Sequence, residues 1–203
     1  MNKIAKSLAV IVAVAGVAGG LTYAYFSDIE TSNANNFSAG TMDLTLDGKN
    51  NENDQVFNVS NAIPNVTQSI AVYHLKNIGS VNGFVDLKNI SVESKENGCT
   101  GPEKLVDGTC GDPGNGDGEL QKVSNFDIFV DENCNGWYGS EDNKFFSGRV
   151  GDIASSYDLN LPLNAGQEKC ITVQYDWWST PDDNKAQGDS MSVNFGFALD
   201  QIQ

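Results

Sequence analysis

Histidine is almost absent from this chain: His74 is the only one in 203 residues. That excludes catalytic sets needing two imidazoles, above all His-Glu-x-x-His zinc hydrolysis. No Gly-x-Ser-x-Gly nucleophile turn and no Cys-x-x-Cys metal pair stands in their place. Positive charge is scarce too. Twelve Lys and Arg face 27 Asp and Glu, a formal net charge of −15. Such a chain repels phosphate backbones and anionic membrane surfaces, so no nucleic-acid partner is expected and cations are favoured. No repeat of about 20–50 residues is visible, so a polymer would be built from whole domains rather than stacked internal units.

What is present begins with a leader. Lys3 and Lys6 precede an apolar run from Leu8 to Gly20, and Thr22-Tyr23-Ala24 offers a small residue at a cleavage point. This is the layout of a signal peptide over residues 1–24, and it predicts a secreted, extracellular or cell-surface protein. Left uncut, the run would have the length of a short spanning anchor, and membrane contact is expected only through that uncleaved leader. Cleavage leaves 179 residues (203 less 24), and loss of two lysines takes the charge from −15 to −17. That length suits one domain with a sizeable core.

The new N-terminus would read Tyr25-Phe26-Ser27-Asp28-Ile29-Glu30-Thr31. Two large aromatic groups at a free end are costly to leave wet. In an extended strand Tyr25, Ser27 and Ile29 share one face, with Phe26 and Asp28 on the other. The polar run Ser32-Asn33-Ala34-Asn35-Asn36 then suits a tether, so residues 25–36 read as a sticky strand on an arm, ahead of a domain over 37–203.

The residues Ala24–Leu46, AYFSDIETSNANNFSAGTMDLTL, resemble the signal-peptide junction and first strand of the TasA/camelysin family of secreted fibre proteins, which includes archaeal bundling pili. The matching positions are Phe26, Asp28, Ile29 and Phe37-Ser38-Ala39-Gly40-Thr41-Met42-Asp43-Leu44. Further similarity lies in Val59-Ser60-Asn61 with Pro64, in Leu75–Ser80 and in Gly188–Phe195, while residues from about 93 to 165 are covered loosely. The resemblance implies a jelly-roll domain that polymerises by donor-strand exchange. It also raises a protease reading, because the camelysin branch is named for a metalloprotease activity.

Alternating apolar and polar residues predict strands over 41–46, 55–60, 69–76, 84–92, 126–131, 145–150, 169–178 and 190–199, with a helical turn at 153–157. Ile70, Val72 and His74 would face one way and Ala71, Tyr73 and Leu75 the other; Val193, Phe195 and Phe197 would share a face. Short strands with Gly- and Asn-rich connections indicate an all-β fold, an antiparallel sandwich or jelly roll with a protruding N-terminal donor strand.

Residues 94–124 are too long for a bare loop inside such a domain. Four cysteines allow three pairings; export favours Cys99–Cys110, which would close this insertion, with Cys134–Cys170. Asp131, Asn133, Asn135 and Asp142 occupy positions 1, 3, 5 and 12 of an EF-hand-like loop, with Gly136 at the turn. One reading is structural calcium, the sole cofactor the sequence suggests and not a required one. The other is a hairpin turn in which Asn-Gly supplies positive φ. Asp112, Asn115, Asp117 and Glu119 form a second acidic loop. Asn36, Asn58, Asn65 and Asn89 head glycosylation sequons.

The function expected is that of a structural subunit of an extracellular filament, a pilus or biofilm-matrix fibre, and not an enzyme. Its partners would be copies of itself, joined head to tail by Tyr25–Thr31, with filament bundling or a minor anchoring subunit beyond that. The alternative is a monomeric carbohydrate- or surface-binding module using Trp137-Tyr138 and Trp177-Trp178, of which one in each pair should be exposed.

Overall fold

Alternation decides which face of each strand is dry. On β4 (Gln68–Asn77) Tyr73 and Leu75 are buried while Ile70 is exposed; on β10 (Ser190–Gln201) Val193, Phe195 and Phe197 all point inward. These observations come from a computed structural model that describes residues 40–201 apart from 51–53, 67, 100 and 112–117. The leader, the predicted donor strand Tyr25–Thr31, the tether and Asn36 lie outside the described residues.

The remaining strands are β1 (Leu44–Leu46), β2 (Lys49–Asn50), β3 (Asp54–Val59), β5 (Gly83–Lys95), β6 (Asn125–Asp131), β7 (Asn143–Arg149), β8 (Tyr157–Leu163) and β9 (Glu168–Asp176). All pairings are antiparallel. One sheet runs β2-β1-β4-β9-β6-β7 and the other β3-β10-β5-β8, so the fold is an all-β sandwich. Residues Gly40–Gln203 form one unit. Among the described residues no helix is long and apolar enough to cross a membrane.

Aromatic rings join the two sheets. Phe57 of β3 meets Phe126 of β6 edge-on at 5.2 Å, and Tyr73 of β4 lies 5.5 Å from Phe197 of β10. Such pairs add about 0.5–1.5 kcal/mol each beyond the area they bury. Helix α1 (Leu120–Val123), inside the 94–124 insertion, contributes Leu120 and Val123 to the same core.

The structure corrects three expectations. The helical turn lies at Val150–Asp152, not at 153–157, and Tyr157 opens β8, a strand the sequence pattern did not suggest. Pro162 lies within β8, which is an edge strand, the place in a sheet where proline is tolerated. The third correction is β2, paired with β1 through a two-residue turn. Asp47 and Gly48 both have positive φ, 50° and 76°, as a tight hairpin of this kind requires.

Candidate functional site

Strand β4 is only partly covered on one side. There β1 pairs with Leu75, Lys76 and Asn77 and goes no further. Asp47 then closes the next position. Its N–H donates to the His74 carbonyl and its Oδ1 accepts the His74 N–H, each at 2.9 Å. Alternate residues of a strand aim their backbone groups the same way, so Val72, Ile70 and Gln68 direct theirs toward the side that His74 uses. Among the described residues no strand lies there, whereas β9 pairs with β4 from Gln68 to Lys76 on the other side. Ile70 on the open stretch is exposed, as are Ile63 and Val66 in the segment that precedes β4.

The outer face of the same sheet is roofed by the loop between β6 and β7. Phe129 points away from the core yet is fully buried, because Tyr138 stands edge-on to it at 5.4 Å. The Cys134–Cys170 disulfide, with Cα atoms 5.4 Å apart, ties the loop to β9. Gln174 of β9 donates to the Gly136 carbonyl at 2.6 Å. Gly136 has φ +81°, and a Cβ there would lie 3.2 Å from Ile70 Cγ2 and 3.3 Å from Val72 Cγ2.

Of the four residues read as a calcium set, Asp131 ends β6 and Asn133, Asn135 and Asp142 sit in this loop. Asp131 accepts the Asn135 N–H on Oδ1 and, on Oδ2, the Gly136 N–H at 2.8 Å and the Thr172 hydroxyl at 2.8 Å. Burial pushes the Asp131 carboxyl up, but these donors together hold it below the usual carboxylate range. Asp142 takes the Glu132 N–H on Oδ1 and the Gly139 N–H on Oδ2. Asn133 and Asn135 accept the Asn135 and Trp137 N–H groups. The loop's own donors thus engage every carboxylate oxygen of the set. The bracing by Thr172 and Gln174 was missed in sequence, since both are ordinary polar residues on a strand.

Cys99 and Cys110 form the other disulfide, with Cα atoms 5.0 Å apart, and close the insertion as expected. Of the aromatic pairs, Trp177 is buried and Trp178 exposed, while Trp137 and Tyr138 are both exposed, against the expectation of one in each pair. Trp177 is anchored by its indole N–H on Asp183 Oδ1 at 2.9 Å. It lines a groove of about 590 Å³ with Ala62, Ile63, Pro64, Asn65 and Ser179. Asn58, Asn65 and Asn89 are exposed, and Asn65 Oδ1 also accepts the Ser179 N–H.

Residues 2–102 match the family model described as camelysin metallo-endopeptidase. The chain belongs to the camelysin family. That family groups secreted and cell-surface proteins. No curated protein matches the chain.

The family's description implies a catalytic metal, and the camelysin residues described here do not fit one. His74, Cys134 and Cys170 place ligand atoms within 4.8 Å of one another, but both cysteines are in the disulfide and offer no thiolate. His74 Nδ1 lies 3.0 Å from Glu168 Oε1 on the exposed outer face, an inter-strand contact. One imidazole and one carboxylate fall short of a zinc hydrolase's ligand set and base.

Proposed function

We propose that this protein is the structural subunit of an extracellular filament, in which Tyr25–Thr31 of one subunit adds as a strand to the open edge of β4 in the next. The observation that carries the reading is that edge: Gln68–Tyr73 is paired on one side only among the described residues, and its Ile70 and Val72 backbone groups are aimed outward. Edges of this kind recruit further strands. Backbone bonds would supply affinity, and Tyr25, Phe26 and Ile29 would set register by the pockets they fill. On the core side of the open stretch stand Ser69 and Ala71, small residues that leave room for a neighbour's larger ones. Burying two aromatics and an isoleucine contributes on the order of 5 kcal/mol before ordering costs. Donor and edge are different surfaces, so the contact is heterologous and an unclosed one propagates. Glycans on Asn58, Asn65 and Asn89 would point into solvent along such a fibre.

Peptide hydrolysis is not part of this reading, because the single histidine is paired with Glu168. Electron microscopy of the secreted protein tests the polymer. Filaments are expected from the full chain, and folded monomers from a variant lacking Tyr25–Thr31 that regains a bound strand when the peptide is added in trans. Filaments of normal length from the deletion variant overturn the donor-strand mechanism. A second reading, a monomeric carbohydrate-binding module, is favoured by the exposed Trp137, Tyr138 and Trp178. It predicts monodisperse particles and glycan binding lost in Trp137→Ala and Trp178→Ala.

A further inference from the structure

The 94–124 insertion holds a second concentration of charge, away from the β4 edge. Glu96 follows the end of β5, Glu103 lies in the 3-10 turn Glu103–Leu105, Asp107 follows it inside the Cys99–Cys110 loop, Glu119 precedes α1, and Asp189 precedes β10. Ligand oxygens of Glu96, Glu119 and Asp189 fall within 4.8 Å of one another, as do those of Glu96, Glu103 and Asp107, so Glu96 belongs to both groups. The side chains are deeply placed: Glu96 is 2 % exposed, Glu103 0 % and Asp189 4 %.

Two of these buried carboxylates each leave an oxygen without a hydrogen-bond donor. Glu96 Oε1 accepts the Gly98 N–H at 3.1 Å, but Oε2 has no partner; Asp189 Oδ2 accepts the Glu119 N–H at 2.5 Å, but Oδ1 has none. Ser94 Oγ is likewise buried without a partner. The cationic help is slight: Lys122 reaches Glu119 Oε1 at 3.1 Å from an exposed position. Burial pushes up the carboxyls of Glu96, Glu119 and Asp189, the last to about 7, and their negative neighbours push further. Burying unpaired carboxylates side by side is costly unless a cation neutralises them. The backbone is also shaped for close approach, since a Cβ on Gly118 would sit 2.8 Å from the Lys95 carbonyl carbon.

We infer that Glu96, Glu119 and Asp189, with Glu103, Asp107 and Ser94 beside them, form a structural calcium site that pins the insertion to the end of β5 and the start of β10. The donors are all hard oxygens, several of them carboxylate, in a flexible-length arrangement drawn from separate segments, which suits calcium rather than zinc or a six-coordinate magnesium. Cys99 and Cys110 lie nearby but are bridged and offer no thiolate.

The test uses the full chain, stripped with a chelator and titrated with calcium chloride while melting is followed. At calcium a hundredfold above the dissociation constant the midpoint should rise by roughly 5–10 °C. The response should vanish in Glu96→Gln/Asp189→Asn and persist in Asp131→Asn/Asp142→Asn. No shift in the wild-type chain overturns the inference, and so does a shift lost only in the Asp131/Asp142 variant, which would put the ion in the β6–β7 loop. Should the Glu96/Asp189 variant fail to fold, tryptic cleavage of the wild-type chain after Lys104 gives an independent readout. Calcium should slow it at least tenfold, and an unchanged rate overturns the site.

Discussion

Asp47 and His74 mark where the β4 edge opens: the Asp47 N–H meets the His74 carbonyl and the Asp47 carboxylate meets the His74 N–H, both at 2.9 Å. One aspartate in a hairpin turn thus does for His74 what a longer β1 would have done. Beyond it, toward Gln68, the backbone has β9 on one side and no described strand on the other.

Proline at position 72 should separate folding from assembly. Val72→Pro removes an N–H aimed at the open edge and leaves the β9 ladder bonds in place. The expected product is a folded monomer, its melting midpoint within a few degrees of wild type, that forms no filaments by electron microscopy. Wild-type filaments from this variant would place the incoming strand on another edge.

Removing the outer-face bridge should cost more than opening the insertion. Cys134 and Cys170 are separated by 36 positions and Cys99 and Cys110 by 11. Loop-closure entropy then assigns about 4 kcal/mol to the first bridge and about 3 kcal/mol to the second. Urea unfolding of Cys134→Ser/Cys170→Ser and of Cys99→Ser/Cys110→Ser, side by side, checks the order. Equal losses would mean that native contacts, not chain entropy, dominate.

Alkali should loosen the core in a defined window. Burial raises the Tyr73 hydroxyl well above its ordinary value and the Tyr175 hydroxyl from 10.0 to about 12. Where the unfolded chain has released these protons the folded one still holds them. Stability is therefore fully present below pH 10 and falls as pH rises toward 12, by about 1.4 kcal/mol per unit for each group. Urea midpoints between pH 9 and 11.5 measure the slope, and Tyr175→Phe should flatten it. An unchanged slope would assign the loss to other groups.

Gly136→Ala tests the seat of the β6–β7 loop. Alanine is strained at φ +81°, and its Cβ would press on Ile70 and Val72. A loss of about 1–3 kcal/mol is expected. Thermal melts check the loss, and a neutral result would show that the loop shifts freely over the outer face.

Local period and spacing carried a good part of this protein. Ile70, Val72 and His74 against Tyr73 and Leu75, and Val193, Phe195 and Phe197 on one face, follow from the two-residue repeat of a strand once one face is buried. The closing of the insertion by Cys99–Cys110 follows from its length and the oxidising route that a leader implies. The sequence also held an Asp47-Gly48 hairpin signal, which the polar, two-residue β2 made easy to overlook.

Other features depend on which segments meet, and no local pattern encodes that. Phe129 is dry only because a disulfide-tied loop returns over it, and Tyr157–Leu163 is a strand only because an edge tolerates Pro162. Glu96, Glu119 and Asp189 each look like ordinary surface acids in a chain with 27 of them. Folding brings the end of β5 and the starts of β10 and α1 together, and burial there changes what those carboxylates cost. By itself the sequence determined the alternation and the strand-rich class, because these rest on neighbours along the chain; it favoured one of three cysteine pairings, and folding across 36 positions decided Cys134–Cys170. Tertiary structure alone decided the open edge of β4 and the acidic cluster, because both are set by the distances between strands that pairing creates.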